Sequence, residues 1–129
     1  MNKNNLFKII NIKELTDVKT PYGWVKPILK NFYLSTTPDF TFGISSLNSG
    51  KSQELLHEFS DEIIICISGE FNIYVNNIKY DIHEEECVFI PKGQAYKIEN
   101  ETNAEVKVIY IAFPLAPNPK LGHTYIEKG

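Results

Sequence analysis

Between Asp39 and Phe113, hydrophobic residues come in short runs separated by residues that turn the chain. "DFTFGISSL" (39–47) sets Phe40, Phe42 and Ile44 against Thr41, Gly43 and Ser45, the period of two expected of a half-buried strand. "NSG" (48–50) follows as a turn. "EIIICIS" (62–68) is apolar on both faces, as in a strand covered on both sides. "EFNIYVN" (70–76) returns to alternation, with Phe71, Ile73 and Val75 against Glu70, Asn72 and Tyr74. Asn76 and Asn77 then supply the positive-φ residues of a tight hairpin. "IKYDI" (78–82), "ECVFI" (86–90), "AYKIEN" (95–100) and "EVKVIYIAF" (105–113) are further strands at regular spacing.

The ends of the chain are read as additions to this series. "LFKIIN" (6–11) is a first strand, and "YGWVKPILKNFYL" (22–34) one or two more, with Pro27 holding part of it to an edge or bend. Residues 114–129 form a Pro-rich tail, extended rather than folded on its own. No helical period runs beyond about two turns. Strands in this number and spacing predict an all-β sandwich or barrel.

Length makes 1–129 a single domain, able to bury roughly two-thirds of its unfolded surface without a metal or disulfide staple. A net charge of −3 removes the basic face that nucleic-acid binding needs. The N-terminal apolar patch is broken by lysines and too short for a signal peptide, and no run approaches the ~18 apolar residues that span a bilayer. Cys66 and Cys87 sit in strand-like runs and are expected as two buried thiols. These points predict a soluble cytoplasmic protein.

Candidate chemistry gathers where the chain enters the strand at Glu62, with His57 and Glu58 just ahead of it. In "YKIEN" (96–100), Lys97 and Glu99 must face water, so Tyr96 and Ile98 face the interior. Ile64 and Cys66 share the Glu62 face. His83 with "EEE" (84–86) reads as a solvated turn, and His123 belongs to the tail. Lys51 and Ser52 follow a glycine but lack the frame of a phosphate loop. Trp24 fits a core, an interface or a pocket equally well.

Two segments resemble the signatures of the small cupins. In the first, Gly50 opens the segment, Glu62 takes its acidic position and Gly69 closes it; in the second, Pro91, Gly93 and Asn100 fall in register. The resemblance covers about residues 40 to 113 and implies a cupin jelly-roll barrel, a double-stranded β-helix, with the face of Glu62, Ile64 and Cys66 turned inward beside Tyr96. The family's metal is held by two His and a Glu of the first segment and a His of the second. With three residues before Glu62, the two first-segment His positions are Leu56 and Glu58; with four, they are Leu55 and His57. The second-segment His is Tyr96, and that segment's opening Gly is Glu85. The resemblance therefore implies a degenerate metal site. No cofactor is expected; a divalent Fe, Mn, Ni or Zn would need His57, Glu58, Glu62 and Tyr96 to converge, and neighbouring strand residues point to opposite faces.

What the resemblance implies for function is metal-independent acid–base chemistry of an isomerase, epimerase or lyase kind on a small polar metabolite. Glu62 would be a desolvated general acid or base, Tyr96 a donor to a substrate oxyanion or a proton relay, and His57 a partner base. Phe42, Ile64, Cys66 and Ile98 are the expected substrate-contacting walls. Two alternatives stand beside this reading: a metal-dependent dioxygenase, decarboxylase or lyase, and a non-catalytic binding or accessory barrel in which Glu62 sits in water and Tyr96 only adds bulk. Ile63, Ile65 and Ile67, on the face opposite Glu62, predict a homodimer.

Overall fold

Alternation along the chain becomes pairing between strands in the computed structural model, which describes residues 9–29, 39–52, 54–114 and 124–126. Among these, β1 (Val18–Thr20), β2 (Gly23–Pro27), β3 (Thr41–Leu47), β11 (Val106–Phe113), β6 (Asp61–Ser68) and β9 (Cys87–Ile90) form one sheet in that spatial order. A second sheet runs β4 (Gly50–Lys51), β10 (Lys97–Asn100), β7 (Phe71–Val75) and β8 (Ile78–Ile82). A two-stranded piece pairs β5 (Glu54–Leu56) with β12 (Thr124–Ile126). The described pairs are antiparallel, and strands far apart in sequence lie side by side, the connectivity of a jelly roll.

The register of β6 decides which side chains look inward. Glu62, Ile64 and Cys66 stand opposite Ala112, Tyr110 and Val108 of β11, and these stand opposite Thr41, Gly43 and Ser45 of β3. Directly opposed residues of an antiparallel pair share a face, so this set is the barrel wall. Ile64, Cys66 and Val108 are buried there, against Phe71 and Ile73 from the second sheet. Full burial of a side chain such as Phe71 contributes on the order of 2–3 kcal/mol.

Turn chemistry matches the pattern closely. Asn76 and Asn77 adopt φ of 54° and 65°, both left-handed as a two-residue hairpin demands. Gly69 has φ 85°, and a Cβ there would come within 3.0 Å of Val106 Cγ2, so both backbone and space favour glycine. Glu85 takes the place of the second segment's opening glycine and keeps a left-handed φ of 68°. Asn100, 2% exposed, is the knot of the turn after β10: its Nδ2 donates to the carbonyls of Leu47 and Ala104, while its Oδ1 accepts from the Thr102 backbone and hydroxyl.

Several expectations change. Residues 9–11 are not a strand: the Asn11 side chain accepts from Lys13 N and caps a 3-10 turn over Ile12–Glu14, leaving Ile9 exposed. Residues 6–8 and 30–34, from the predicted strands 6–11 and 22–34, lie outside the described residues, as does His123. The tail is not merely extended, since Thr124–Ile126 pairs with β5. Cys66 is buried, but Cys87 is exposed, because it begins an edge strand and stands opposite Ile65 on the outer face. The strand at 62–68 is not covered equally on both sides: Ile63 and Ile65 are half-buried and Ile67 is exposed.

Replacing Asn100 with alanine strands two carbonyls and two Thr102 donors at once. We expect Asn100→Ala to lower unfolding free energy by about 3 kcal/mol, read from urea denaturation with an unchanged slope. A change below 0.5 kcal/mol would show that the turn does not depend on this side chain.

Candidate functional site

The loop leaving β5 and the turn between β9 and β10 are stitched together by backbone bonds. Leu55 N donates to Tyr96 O at 2.7 Å, and Tyr96 N to Leu55 O at 3.0 Å. Gly93 N donates to His57 O at 2.8 Å, and Lys92 N to the Asp61 carboxylate at 2.8 Å. Gly93 reaches His57 from a left-handed φ of 84°, the physical use of the glycine in Pro91-Lys92-Gly93. This stitching sets His57 and Tyr96 over the mouth of β6, where Glu62 is the second residue.

Three polar heads meet there below the surface. The Tyr96 hydroxyl donates to Glu62 Oε1 at 2.6 Å, and His57 Nε2 lies 3.2 Å from the same oxygen. His57 Nε2 is also 3.3 Å from the Tyr96 oxygen, and the two rings lie near parallel, 11° apart with centroids 6.2 Å from each other. Because Tyr96 spends its proton on Glu62, the consistent pattern puts the hydrogen of His57 on Nε2, aimed at Glu62 Oε1 and the phenol oxygen. One carboxylate oxygen thus receives two donors. His57, Glu62 and Tyr96 are 6%, 5% and 2% exposed, which makes this a desolvated proton-sharing cluster and not a carboxylate standing in water at the strand mouth.

The other expected residues divide. Ile64 lies on the Glu62 wall, and Ile98 packs against the same core from β10. Cys66 is on that wall but toward its far end, its thiol pointing at the Gly69 carbonyl at 3.3 Å; burial and then the Glu84 charge push that thiol's pKa up. Phe42 is not on this wall. Its cross-strand partner is Ile111, which faces Ile63, so Phe42 joins the outer apolar face. Glu58 is exposed and takes no part in the Tyr96–Glu62, His57–Glu62 and His57–Tyr96 contacts; it and His57 lie just past β5 and not on the strand. Trp24 is half-buried on β2, donating from Nε1 to Glu105 at 3.1 Å with Lys26 over its ring. His83 remains on the surface beside Glu86.

Tyr110 belongs with the site and was not among the expected residues. It stands opposite Ile64, two positions along β11 from the partner of Glu62, and is half-buried on the inner wall. Burial, reinforced by the Glu62 charge, pushes its pKa up to about 12. Counting period two through Val106, Val108, Tyr110 and Ala112 would have drawn it inward from the sequence.

Convergence of His57, Glu62 and Tyr96, with Leu55 bridged to Tyr96, selects the four-residue register, so the four family ligand positions are Leu55, His57, Glu62 and Tyr96. That donor set offers one imidazole and one carboxylate; the third corner is a phenol donating to that carboxylate, and the fourth is a buried leucine. Divalent transition metals are held by three or four nitrogen, sulfur or carboxylate ligands, so these residues do not fit a resident ion. Among the described residues no three His, Cys, Asp or Glu side chains cluster as metal ligands.

Comparison with known proteins agrees with this architecture. The cupin domain profile matches residues 46–112, and the chain belongs to that family. It is 33% identical over 106 residues to the tetracenomycin polyketide synthase protein TcmJ of Streptomyces glaucescens, covering 81% of this chain and 70% of the relative. It is 22% identical over 121 residues to the polyketide synthase CurC of Streptomyces cyaneus, covering 93% and 78%. A conserved protein with a double-stranded β-helix domain from Klebsiella pneumoniae superposes with a TM-score of 0.70 at 16% identity, covering 95% of this chain and 99% of that one. The last likeness speaks for the fold alone.

The wall position of Tyr110 has an optical consequence. Tyr110 should ionise near pH 12, and the absorbance titration of Tyr110→Phe should lose one tyrosine's amplitude from that late region. Since the folded phenol holds its proton longer than the unfolded one, stability from this group falls as pH rises from about 10 toward 12. A difference titration centred near 10 would place Tyr110 in water.

Proposed function

We propose that this cupin barrel binds a small carbonyl-bearing molecule and moves one of its protons without a metal, through Glu62, His57 and Tyr96. The observation that carries the reading is the buried Glu62 oxygen shared by a phenol and an imidazole. Buried, mutually oriented acid–base groups are the equipment of proton transfer beside a carbonyl. Glu62 takes the proton from the carbon next to the carbonyl, and the C–H electron pair becomes an enolate. The Tyr96 hydroxyl and the Nε2–H of His57, 2.6 and 3.2 Å from Glu62 Oε1, hold the carboxylate in place, and Glu62 itself carries the abstracted proton. Return of the proton to the same or a neighbouring atom completes an isomerisation or epimerisation with no change of oxidation state; departure of a β-hydroxyl from the enolate would make the step a lyase reaction.

Two relatives are named as polyketide synthase proteins. Chains of alternating ketones have acidic methylenes flanked by carbonyls, which makes a β-dicarbonyl compound the substrate class we favour. A plain binding role has one observation in its favour: the Tyr96 proton is already engaged by Glu62. The two free cysteines accord with a cytoplasmic protein.

We also infer a homodimer. Ile63 and Ile65 join Ile109, Ile111, Phe42 and Ile44 across three paired strands, and Phe89 on the edge strand is 57% exposed. A second copy presenting the same face would bury it on both sides of a two-fold axis. Light scattering should give twice the chain mass at micromolar concentration, and Ile65→Lys should return it to one; a wild-type monomer would overturn this.

Ethyl acetoacetate, a simple β-keto ester, tests the chemistry. In deuterated buffer the protein should accelerate exchange at its central methylene, followed by proton NMR. Glu62→Gln should lose roughly 10²–10⁴-fold of the acceleration, with smaller losses in Tyr96→Phe and His57→Ala. A ligand-induced rise in melting temperature without exchange would favour the binding role, and neither effect would sink the proposal.

A further inference from the structure

The inner wall carries one polar group that the proton-sharing cluster does not use. The Tyr110 hydroxyl has no hydrogen-bond partner among the described residues, although its ring is half-buried on the Glu62 wall. Its place is defined by Gly43, the residue opposite it on β3. A Cβ added to Gly43 would come within 2.5 Å of the Tyr110 oxygen and 2.4 Å of the Lys26 carbonyl. Glycine therefore leaves a notch in the wall, and the phenol head lies against it.

Packing alone does not account for this arrangement. An aromatic ring laid over a cross-strand glycine is stabilising by itself, and phenylalanine would serve equally well. Phenylalanine would cover Gly43 without a hydroxyl, whereas the Tyr110 oxygen is not among the described buried polar atoms cut off from water, so a ligand oxygen can replace that water. The group remains neutral well above pH 7, so it faces a ligand as a donor. Glu62 lies on β6, the other neighbour of β11, diagonal to Tyr110, so a ligand touching both heads spans the wall from its β3 side to its β6 side.

We propose that the Tyr110 hydroxyl, set against the Gly43 notch on the wall that also carries Glu62, is the hydrogen-bond donor that receives the ligand's carbonyl oxygen. The inference rests on the proton-transfer reading above and adds the second point of attachment: the acidic carbon lies toward Glu62 and its carbonyl oxygen toward Tyr110. The selected class is a compound with an acceptor oxygen next to its acidic carbon, as in a β-keto ester. On proton removal the charge moves to that oxygen, so the bond from Tyr110 strengthens as the enolate forms.

The test compares wild type, Tyr110→Phe and Glu62→Gln in the ethyl acetoacetate exchange assay, with melting temperatures alongside. Tyr110→Phe should keep the wild-type melting temperature while kcat and kcat/KM fall together by about 10- to 100-fold, the signature of a bond made chiefly in the transition state. If Tyr110→Phe exchanges like wild type while Glu62→Gln is inactive, the ring serves only to cover Gly43 and this inference is overturned with the proton-transfer reading intact. If wild type does not accelerate exchange, both fall. A loss confined to KM would assign Tyr110 to ground-state binding and overturn the oxyanion role.

Discussion

One backbone clamp holds the candidate site together. Leu55 and Tyr96 exchange two hydrogen bonds, and Gly93 and Lys92 reach across to His57 and Asp61. Neither segment makes a site by itself: His57 follows a three-residue strand, and Tyr96 forms only an isolated bridge before β10. Short strands at a barrel mouth have little independent stability, so the position of His57 and Tyr96 over Glu62 depends on this cross-segment bonding. Here Gly93 has a physical task, since its left-handed backbone turns an amide toward the His57 carbonyl.

The clamp also explains how polar groups are tolerated so deep in a barrel lined by isoleucine, valine and phenylalanine. A buried carboxylate without partners costs several kcal/mol, and Glu62 avoids this by accepting from Tyr96 while His57 sits beside it. Leu55, His57, Glu62 and Tyr96 meet there as one apolar side chain, one imidazole, one carboxylate and one phenol. Leu55 contributes apolar bulk, Tyr96 a phenol, and the carboxylate accepts a hydrogen bond. Tyr110, on the neighbouring strand, adds a neutral donor to the same wall.

Much of this was legible in the chain. Tyr96 and Ile98 could be placed inside because Lys97 and Glu99 alternate with them, and Ile64 and Cys66 could be assigned to the Glu62 face by the same rule. The hairpin at Asn76-Asn77 was readable because few residues accept positive φ. Phe42 was misplaced for a physical reason. Its strand alternates as clearly as β6 does, but alternation defines two faces without saying which looks inward; its pairing to Ile111, and of Ile111 to Ile63, decided that. Cys87 failed in the same way, since an edge strand leaves one apolar face in solvent.

Beyond the inward turn of the Glu62/Ile64 face, which the cupin resemblance implied, the sequence by itself determined the all-β class, the order of the main strands, several turns and the inward pair Tyr96/Ile98. These follow from local rules: a period of two, and the few residues that tolerate turn backbones. Tertiary structure alone decided that His57 and not Glu58 joins Glu62, that Tyr110 stands diagonal to Glu62 above a notch left by Gly43, and that Phe42 faces outward. Each of those depends on the register between strands distant in the chain, and a one-residue slip in register would send every side chain to the other face.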